Sequence, residues 1–377
     1  MRSNINVYIL LLIILALVFS FLTIYSFGYE TATDISVSAY SAVLYQPETD
    51  TFLYSKSADI KMPMASTTKI MTALIALENA DFTDTVVIDE RAVGVEGSSA
   101  YLRIDDILTM EELLYALLLQ SANDAAVAIA CHIAGDVEGF ADLMNSKATD
   151  LGLTDTNFTN PHGLDDKNHY TTARELAIIT AEAMKNEGFR KISSTYKKTF
   201  STEDRTRTYV NHNKMLLNFE GCIGVKTGYT QRSGRCLVVA AERNGLEFIS
   251  VTLDAPNDWS DHTKLLDYGY DTLERINLAR VDEYCYNVPI INGDKESILV
   301  TNDKDISIIV EKGDHSLNKH IKLIRYAVAP ISEGDVLGEI IFTVDGKEVD
   351  RCNLIARENA GSNEKKSLLD RLTSLFN

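Results

Sequence analysis

A nearly continuous apolar segment, residues 7–27, stands at the start of the chain. About 20 apolar residues suffice to cross a bilayer as a helix, whereas the apolar core of a signal peptide is usually about 7–15 residues long. The length of this segment favours an uncleaved membrane anchor over residues 1–29. A cleaved signal peptide is the alternative, because Ser36, Ser38 and Ala39 offer a weak cleavage site. Under either interpretation, the rest of the chain works outside the cytoplasm.

Apolar residues recur at helical spacing in three later stretches of the chain. The second stretch is interrupted at Ser121, where short polar residues break the pattern. The third begins at Thr171 or Thr172, and Glu175 is placed as in a capping box. The predicted helices span residues 66–78, 110–132 and 172–187.

Alternating apolar and polar residues indicate short strands on both sides of these helices. Two early strands are separated by the turn-forming segment 46–50, so a β-hairpin opens the main domain. Helices inserted between early and late strands require distant segments to share one sheet, which predicts an α+β domain over residues 30–276. The predicted strands run from Ser38 to Tyr45, Thr51 to Tyr54, Gly224 to Thr227, Cys236 to Glu242 and Phe248 to Leu253.

From about residue 281 the chain is rich in strands and carries no catalytic cluster. We predict a small all-β domain over residues 280–356, in which Asp345-Gly346 forms a two-residue hairpin turn. Residues 357–377 are predicted as a polar linker and a short amphipathic tail; contact with a membrane surface, packing and disorder all stay open for this tail. The predicted strands of this domain lie near residues 298–300, 306–310, 322–328, 340–344 and 347–355.

Composition excludes some classes of partner and site. The 377 residues carry a formal net charge of -18, which argues against a nucleic-acid surface. The five cysteines are odd in number and widely spaced, without a Cys-x-x-Cys or Cys/His pattern, so we expect no metal site and no cofactor. Cys222 and Cys236 flank a predicted hairpin and could pair, but buried free thiols are the favoured interpretation.

Three short motifs in the sequence indicate a catalytic site. Each motif alone is weak, because a serine at a helix start is commonly a cap and Lys-Thr-Gly is commonly an exposed strand end. Together they are specific: SxxK opens a helix, SxN interrupts a helix and KTG lies in a strand. The motifs are Ser66-Thr67-Thr68-Lys69, Ser121-Ala122-Asn123 and Lys226-Thr227-Gly228. In type and order they resemble the motif set of penicillin-binding proteins and class A β-lactamases.

The spacing of Ser66 and Lys69 fits nucleophilic catalysis. Residues i and i+3 project from the same face of a helix, so the amine can reach the hydroxyl and activate it. Since the ordinary pKa of lysine is about 10.4, this role requires burial or a nearby positive charge, which Lys226 could supply. The helix N-terminus adds free backbone N–H groups where an oxyanion develops.

The other two motifs are expected to supply polar groups to the same cleft. Ser121 would lie on the opposite wall and relay a proton to a departing amine, while Asn123 would orient the lysine of the first motif or hold a substrate amide. Lys226 offers a cation for a terminal carboxylate, helped by the hydroxyl of Thr227. Gly228 would let a substrate backbone lie close to the strand.

The sequence around the motifs resembles that of the low-molecular-mass penicillin-binding proteins, the serine D-Ala-D-Ala carboxypeptidases. The resemblance covers roughly residues 38–273, and residues 329–340 resemble the β-rich C-terminal domain that many members carry. It implies a penicillin-binding, β-lactamase-like transpeptidase fold, with helices on both faces of an antiparallel sheet, followed by a small all-β domain. The blocks that carry it are residues 64–78, 117–130, 156–177 and 224–245.

The resemblance also implies an activity in the bacterial cell envelope: removal of the terminal D-alanine from peptidoglycan stem peptides through an acyl-enzyme, with β-lactams as covalent inhibitors. Carried over by motif, Ser66 is the nucleophile, Lys69 the base and Ser121 the proton relay. Backbone N–H groups of Ser66 and Tyr229 would form the oxyanion hole. The implied substrate contacts are Asn123, Lys226, Thr227, Gly228 and Tyr229.

Two residues depart from the family pattern. Met64 replaces a proline ahead of the first motif, and Asp258 replaces an arginine that helps to hold the substrate carboxylate in many members. Two other functions stay open: a β-lactamase-like hydrolase and a catalytically idle wall-binding protein. Residues 160–170 hold no glutamate of the kind that a lactamase needs for deacylation, and the intact motifs argue against the idle protein.

Overall fold

The computed structural model describes residues 35–201 and 205–363. The predicted anchor over residues 1–29 and the predicted amphipathic tail lie outside the described residues. In the described part of the chain, no helix has the length and apolar character needed to span a bilayer. The described residues form two compact units, one of residues 35–201, 205–241 and 247–266, the other of residues 242–246 and 267–363.

Helices and strands alternate irregularly in the first part of the chain. The elements are β1 (Ser41–Gln46), β2 (Thr51–Lys56), α1 (Lys69–Asn79), β3 (Thr85–Val87), β4 (Ile107–Thr109), α2 (Met110–Leu118), α3 (Asn123–Ala134), α4 (Val137–Asp150), α5 (Ala173–Met184), α6 (Glu187–Ser193), β5 (Lys197–Ser201), β6 (Thr206–Val210), α7 (Met215–Asn218), β7 (Cys222–Thr230), β8 (Gly234–Arg243), β9 (Leu246–Leu253) and α8 (Asp258–Thr272).

The main sheet of the first unit has the strand order β2-β1-β9-β8-β7. Strand β1 pairs antiparallel with both β2 and β9, so that Tyr45 lies opposite Ile249. At the other edge, β7 pairs antiparallel with β8, which places Lys226 opposite Val238. The early hairpin and the late strands thus share one sheet, as the sequence predicts.

Both faces of this sheet are covered. On one face Ile249 and Val251 of β9 join the apolar core formed with the helices. On the other, the hydroxyls of Ser250 and Thr252 bond to the His262 ring of α8, at 2.6 and 2.9 Å. Alternation with period two along β9 therefore fits a strand that packs on both sides. The predicted α+β class is confirmed.

Helix α1 lies inside the core, since every residue from Lys69 to Ala76 is buried. A helix that is enclosed all round belongs to the interior of a domain. A 3-10 turn, Ala65–Thr68, precedes it, so the predicted helix starts in this tighter form.

The other two predicted helices also form, with differences at their ends. The second divides into α2 and α3 around Ser121, as predicted. The third is α5, whose N-cap Thr172 accepts a hydrogen bond from the backbone N–H of Glu175 at 3.1 Å. The Glu175 carboxylate instead accepts from the N–H groups of Thr154 and Asp155, so the capping box is only half formed.

The second unit is built of strands after the end of α8. An antiparallel pair and a larger sheet, in the order β14-β16-β17-β12-β11-β15, enclose a core that includes Val288, Ile298 and Leu354. The strands are β10 (Leu273–Ala279), β11 (Cys285–Ile291), β12 (Ser297–Asn302), β13 (Ile306–Glu311), β14 (Leu317–Leu323), β15 (Ala327–Val328), β16 (Val336–Val344) and β17 (Lys347–Ala356).

Of two features predicted for this unit, the structure contains the first, a hairpin, and breaks up the second, a strand. The β16–β17 hairpin forms as predicted, because Asp345 and Gly346 both have positive φ, 52° and 78°, as a tight two-residue turn requires. The strand predicted over residues 322–328 is interrupted between β14 and β15.

The cysteines, all within the described residues, are free thiols, including Cys222 and Cys236.

Candidate functional site

Ser66 is presented by the 3-10 turn that precedes α1. Thr67 Oγ1 donates to the carbonyl of Met64 at 2.7 Å, and Thr68 Oγ1 donates to the carbonyl of Ala65 at 2.8 Å. Ala65 has a φ of 47°, a conformation that non-glycine residues rarely adopt and that concentrates at functional sites. Ser66 stays partly exposed between buried neighbours. The turn therefore buries the neighbours of Ser66 and leaves the Ser66 hydroxyl accessible.

The amine of Lys69 is buried and fully hydrogen-bonded. Its Nζ is bonded to Ser66 Oγ at 3.0 Å, to Asn123 Oδ1 at 2.6 Å and to the carbonyl of His162 at 2.6 Å. A charged amine uses all its N–H groups in this way. A neutral amine keeps two N–H donors and gains a lone pair, so Lys69 can still donate to Asn123 and His162 while accepting the Ser66 O–H. The site thus fits both protonation states.

The environment favours the neutral amine. Burial, and then the positive charge of Lys226, hold the pKa of Lys69 well below its ordinary value, while Asp124 acts weakly in the opposite direction. The side chain is 0% exposed, so water does not screen these effects. The neutral amine of Lys69 is consequently available to accept a proton.

Ser121 and Asn123 lie at the break between α2 and α3. Ser121 has a φ of 60° and is 5% exposed, and its hydroxyl forms no hydrogen bond with any described residue. Asn123 opens α3; its Nδ2 donates to the carbonyl of Glu96 at 2.5 Å, which fixes Oδ1 toward Lys69. The interruption predicted from the sequence thus orients one amide and leaves one hydroxyl available to a ligand.

The loop after Asn160 fixes the carbonyl of His162 against Lys69. Asn160 Oδ1 accepts a hydrogen bond from the N–H of Gly163 at 2.7 Å, and Thr72 Oγ1 donates to the carbonyl of Pro161 at 2.6 Å. Burial is the main cause that lowers the pKa of His162 to about 3, so its ring is neutral at pH 7. Nothing in the sequence indicates that a backbone carbonyl completes the hydrogen bonding of Lys69.

Gly163 makes this loop sensitive to a single methyl group. Its φ is 88°, and an added Cβ would lie 1.9 Å from the carbonyl oxygen of Ala65. We expect Gly163→Ala to lower the free energy of unfolding by about 1–2 kcal/mol for the backbone conformation and by a further ~1–3 kcal/mol for the overlap. Urea denaturation measures both. Gly152→Ala is the matched control, because Gly152 has a φ of 75° and no heavy atom within 4 Å of the added Cβ. Equal losses in the two variants would contradict the close approach.

The third motif lies on the edge strand β7. Lys226 is 1% exposed and its Nζ donates to the carbonyl of Thr227 at 3.1 Å. Gly228 faces the first motif, since an added Cβ would lie 3.0 Å from the backbone N of Ser66. Tyr229 follows and is 67% exposed. The strand thus carries one buried amine, and at Gly228 its backbone has no side chain to separate it from Ser66.

Burial lowers the pKa of Lys226 from its ordinary value of 10.5 to about 7. Between these two values the unfolded chain binds more protons than the folded protein, so the unfolding free energy rises with pH across this window. We therefore expect wild-type stability, measured relative to Lys226→Met, to increase from pH 7 to pH 10. Chemical denaturation at a series of pH values tests this. Lys167→Met, at an exposed lysine, is the control, and a difference independent of pH would contradict the shift.

The three motifs converge on one cleft of about 340 Å³, within the usual range for a small-molecule site. Lys69, Asn123 and Lys226 are buried and are not among the residues that line it. The described residues hold no cluster of side chains suited to a metal ion. The cleft is lined by Ser66, Ser98, Ser121, His212, Thr227, Gly228, Tyr229, Arg235, Cys236, Asp258 and Trp259.

The structure adds an ion pair that the sequence did not indicate. Arg235 Nε donates to Asp258 Oδ2 at 3.0 Å, and Arg235 Nη2 lies 3.0 Å from the same oxygen. Asp258 is 4% exposed and is further fixed by the N–H of Trp259 at 3.0 Å. The sequence singled out Asp258 as an unusual residue, but its partner becomes apparent only when β8 and the start of α8 are placed together.

Comparison with known families matches two consecutive parts of the chain. Residues 29–257 match the model of the D-alanyl-D-alanine carboxypeptidase family. Residues 274–361 match the model of the C-terminal domain of penicillin-binding protein 5. The first match includes each of the three motifs.

Individual relatives agree with these matches. A D-alanyl-D-alanine carboxypeptidase of Bacillus subtilis, DacF, is 33% identical over 341 residues, which are 88% of each chain. One from a Streptomyces species, strain K15, is 36% identical over 259 residues, 63% of this chain and 89% of the relative. Among solved structures, penicillin-binding protein 5 from Haemophilus influenzae is 30% identical with a TM-score of 0.64 and covers 88% of this chain and 100% of its own.

Proposed function

The chain belongs to the D-alanyl-D-alanine carboxypeptidase family, and we propose that it removes the terminal D-alanine from peptidoglycan stem peptides through an acyl-enzyme on Ser66. One observation carries the assignment of the nucleophile. Lys69 Nζ lies 3.0 Å from Ser66 Oγ, while Asn123 and the carbonyl of His162 satisfy its other donors. The only change that this site needs for proton acceptance is the loss of one proton from Lys69.

Acylation follows from these positions. Neutral Lys69 takes the proton of Ser66 as Oγ attacks the carbonyl carbon of the penultimate D-alanine. The N–H groups of Ser66 and Tyr229 stabilise the resulting oxyanion. Ser121 relays a proton from Lys69 to the nitrogen of the terminal D-alanine, and the C–N bond breaks. The products of this half-reaction are free D-alanine and an ester on Ser66.

Deacylation reverses the same proton path. A water molecule attacks the ester carbonyl and loses its proton to Lys69, which is again neutral after the first half-reaction. The C–O bond to Ser66 breaks, Ser66 Oγ regains a proton, and the shortened stem peptide leaves. A β-lactam enters the first half-reaction as a mimic of D-Ala-D-Ala, which makes such antibiotics covalent inhibitors.

The rival function on this fold is β-lactam hydrolysis. Residues 160–170 contain no glutamate, and within the described residues no carboxylate is hydrogen-bonded to Ser66 or Lys69. A fast deacylation base is therefore missing from the site. We expect a chromogenic cephalosporin to give one stoichiometric burst and slow turnover, together with sustained release of D-alanine from diacetyl-Lys-D-Ala-D-Ala. Sustained fast cephalosporin hydrolysis without D-alanine release would favour the lactamase.

The proposed substrate implies that the protein works outside the cytoplasm, because peptidoglycan is assembled there. The apolar segment over residues 7–27 supports a tether to the cell membrane, and the predicted tail near the C-terminus would add a second contact. We therefore propose that the protein is a membrane-associated enzyme of the cell envelope, with no nucleic-acid partner and no cofactor.

A further inference from the structure

Among the described residues that line the cleft, Arg235 alone carries a permanent positive charge. His212, another basic residue there, has a pKa lowered by burial and by Lys226. Lys69 and Lys226 are 0% and 1% exposed. A peptide that ends in a free carboxylate would therefore meet the guanidinium of Arg235 as its accessible cation.

The position of Arg235 follows from the register of the sheet. It lies directly opposite Tyr229 in the β7–β8 pair, so its side chain emerges beside the strand that carries the third motif. That side chain is 46% exposed. It is thus close enough to solvent to receive a ligand and adjacent to the backbone that faces Ser66.

Asp258 holds the guanidinium on one edge only. Nε and Nη2 of Arg235 both engage Asp258 Oδ2, whereas Nη1 has no acceptor among the described residues. A guanidinium is a rigid planar fork that can serve one carboxylate along each edge. The buried Asp258 fixes the plane of the fork, and the other edge stays available to a second carboxylate.

We propose that Arg235, positioned by Asp258, binds the terminal carboxylate of the peptide substrate and so determines the specificity for a free C-terminus. This inference rests on the proposed function. It also gives the unusual Asp258 a role: it is a positioning residue for an arginine on the neighbouring strand.

The test compares two peptides, diacetyl-Lys-D-Ala-D-Ala and the same peptide with a C-terminal carboxamide, on the full-length protein. We expect wild type to prefer the carboxylate, and Arg235→Ala to lower kcat/KM for it about 10- to 100-fold while leaving the carboxamide unchanged. Arg235→Lys keeps the positive charge without the planar, forked geometry of the guanidinium. Its kcat/KM for the carboxylate peptide should lie between those of wild type and Arg235→Ala. Arg232→Ala, at an exposed arginine outside the cleft lining, is the matched control and should behave as wild type.

Asp258→Asn separates positioning from chemistry. We expect it to raise KM for the carboxylate peptide and to leave kcat unchanged, because the fork loses its fixed plane while Ser66 and Lys69 are untouched. A fall in kcat with unchanged KM would overturn the positioning role.

The possible failures are distinguishable. Carboxylate preference that persists in both Arg235→Ala and Arg235→Lys would overturn the assignment of Arg235 while leaving the proposed function intact. If Arg235→Ala does not fold, as judged by circular dichroism, Arg235→Lys decides alone. Absence of D-alanine release by wild type from the carboxylate peptide would instead overturn the proposed function, and with it this inference.

Discussion

Replacing Ser66 with alanine is expected to abolish release of D-alanine, with a fall in kcat of about 10 000-fold or more. The reason is that no other described hydroxyl is hydrogen-bonded to Lys69, so no second nucleophile can take over. Diacetyl-Lys-D-Ala-D-Ala is the substrate, and released D-alanine is measured with a D-amino-acid oxidase assay. Ser194→Ala, which removes an exposed hydroxyl, is the control and should keep full activity.

The same variant decides between an enzyme and an idle wall-binding protein. An idle protein would release no D-alanine in either form and would bind peptidoglycan equally well with or without the Ser66 hydroxyl. Unchanged D-alanine release by Ser66→Ala would exclude Ser66 as the nucleophile. Thermal unfolding should be nearly the same in wild type and variant, because Ser66 is only partly buried at the surface of the core.

Substitution of Lys69 is expected to have the second largest effect. Lys69→Met removes the proton acceptor, and general base catalysis contributes about 100- to 10 000-fold to a rate. It also leaves Asn123 Oδ1 and the carbonyl of His162 without their donor, which costs about 1–3 kcal/mol of stability for each buried group. The rate of acylation by penicillin, measured below the unfolding transition of the variant, separates the two effects.

Lys69→Arg provides the matched control for charge. A guanidinium retains N–H donors but does not lose its proton in proteins, so it places a fixed positive charge where the neutral amine would accept a proton, and it does not act as a base. We expect both Lys69 variants to be acylated at least about 100-fold more slowly than wild type. Acylation of Lys69→Met at the wild-type rate would show that another group takes the Ser66 proton.

Local spacing was enough to predict the contact between Ser66 and Lys69. Ser66 and Lys69 are one helical turn apart, so the contact between them depends on few other residues. The interruption at Ser121 was also visible, because a short polar stretch breaks an otherwise apolar helix. The fold class followed from the order of helices and strands, since early and late strands had to share a sheet.

Contacts that depend on tertiary packing cannot be predicted from the sequence. The carbonyl of His162 reaches Lys69 only because Asn160 and Gly163 shape their loop, and a backbone carbonyl has no sequence signature. The pairing of Arg235 with Asp258 requires β8 and α8 to meet. Lys226 is on the predicted strand, but nothing local indicated that its amine would be 1% exposed.

Two elements have only a weak signal in the sequence. Helix α4 was not predicted, although Phe140, Ala141, Met144 and Ala148 are buried at helical spacing. The interior Gly139 and the polar residues between them weaken that pattern. Strand β10 was also missed, because it directly follows a helix without a Gly or Pro to separate them.

The central claim is that Ser66 is the residue which Lys69 activates for attack. Its most direct test is intact-mass analysis of the full-length protein after incubation with penicillin, followed by peptide mapping of the adduct. We expect one penicilloyl group per chain, located on Ser66, and no adduct in Ser66→Ala. An adduct on any other residue, or an unmodified wild-type protein, would contradict the account.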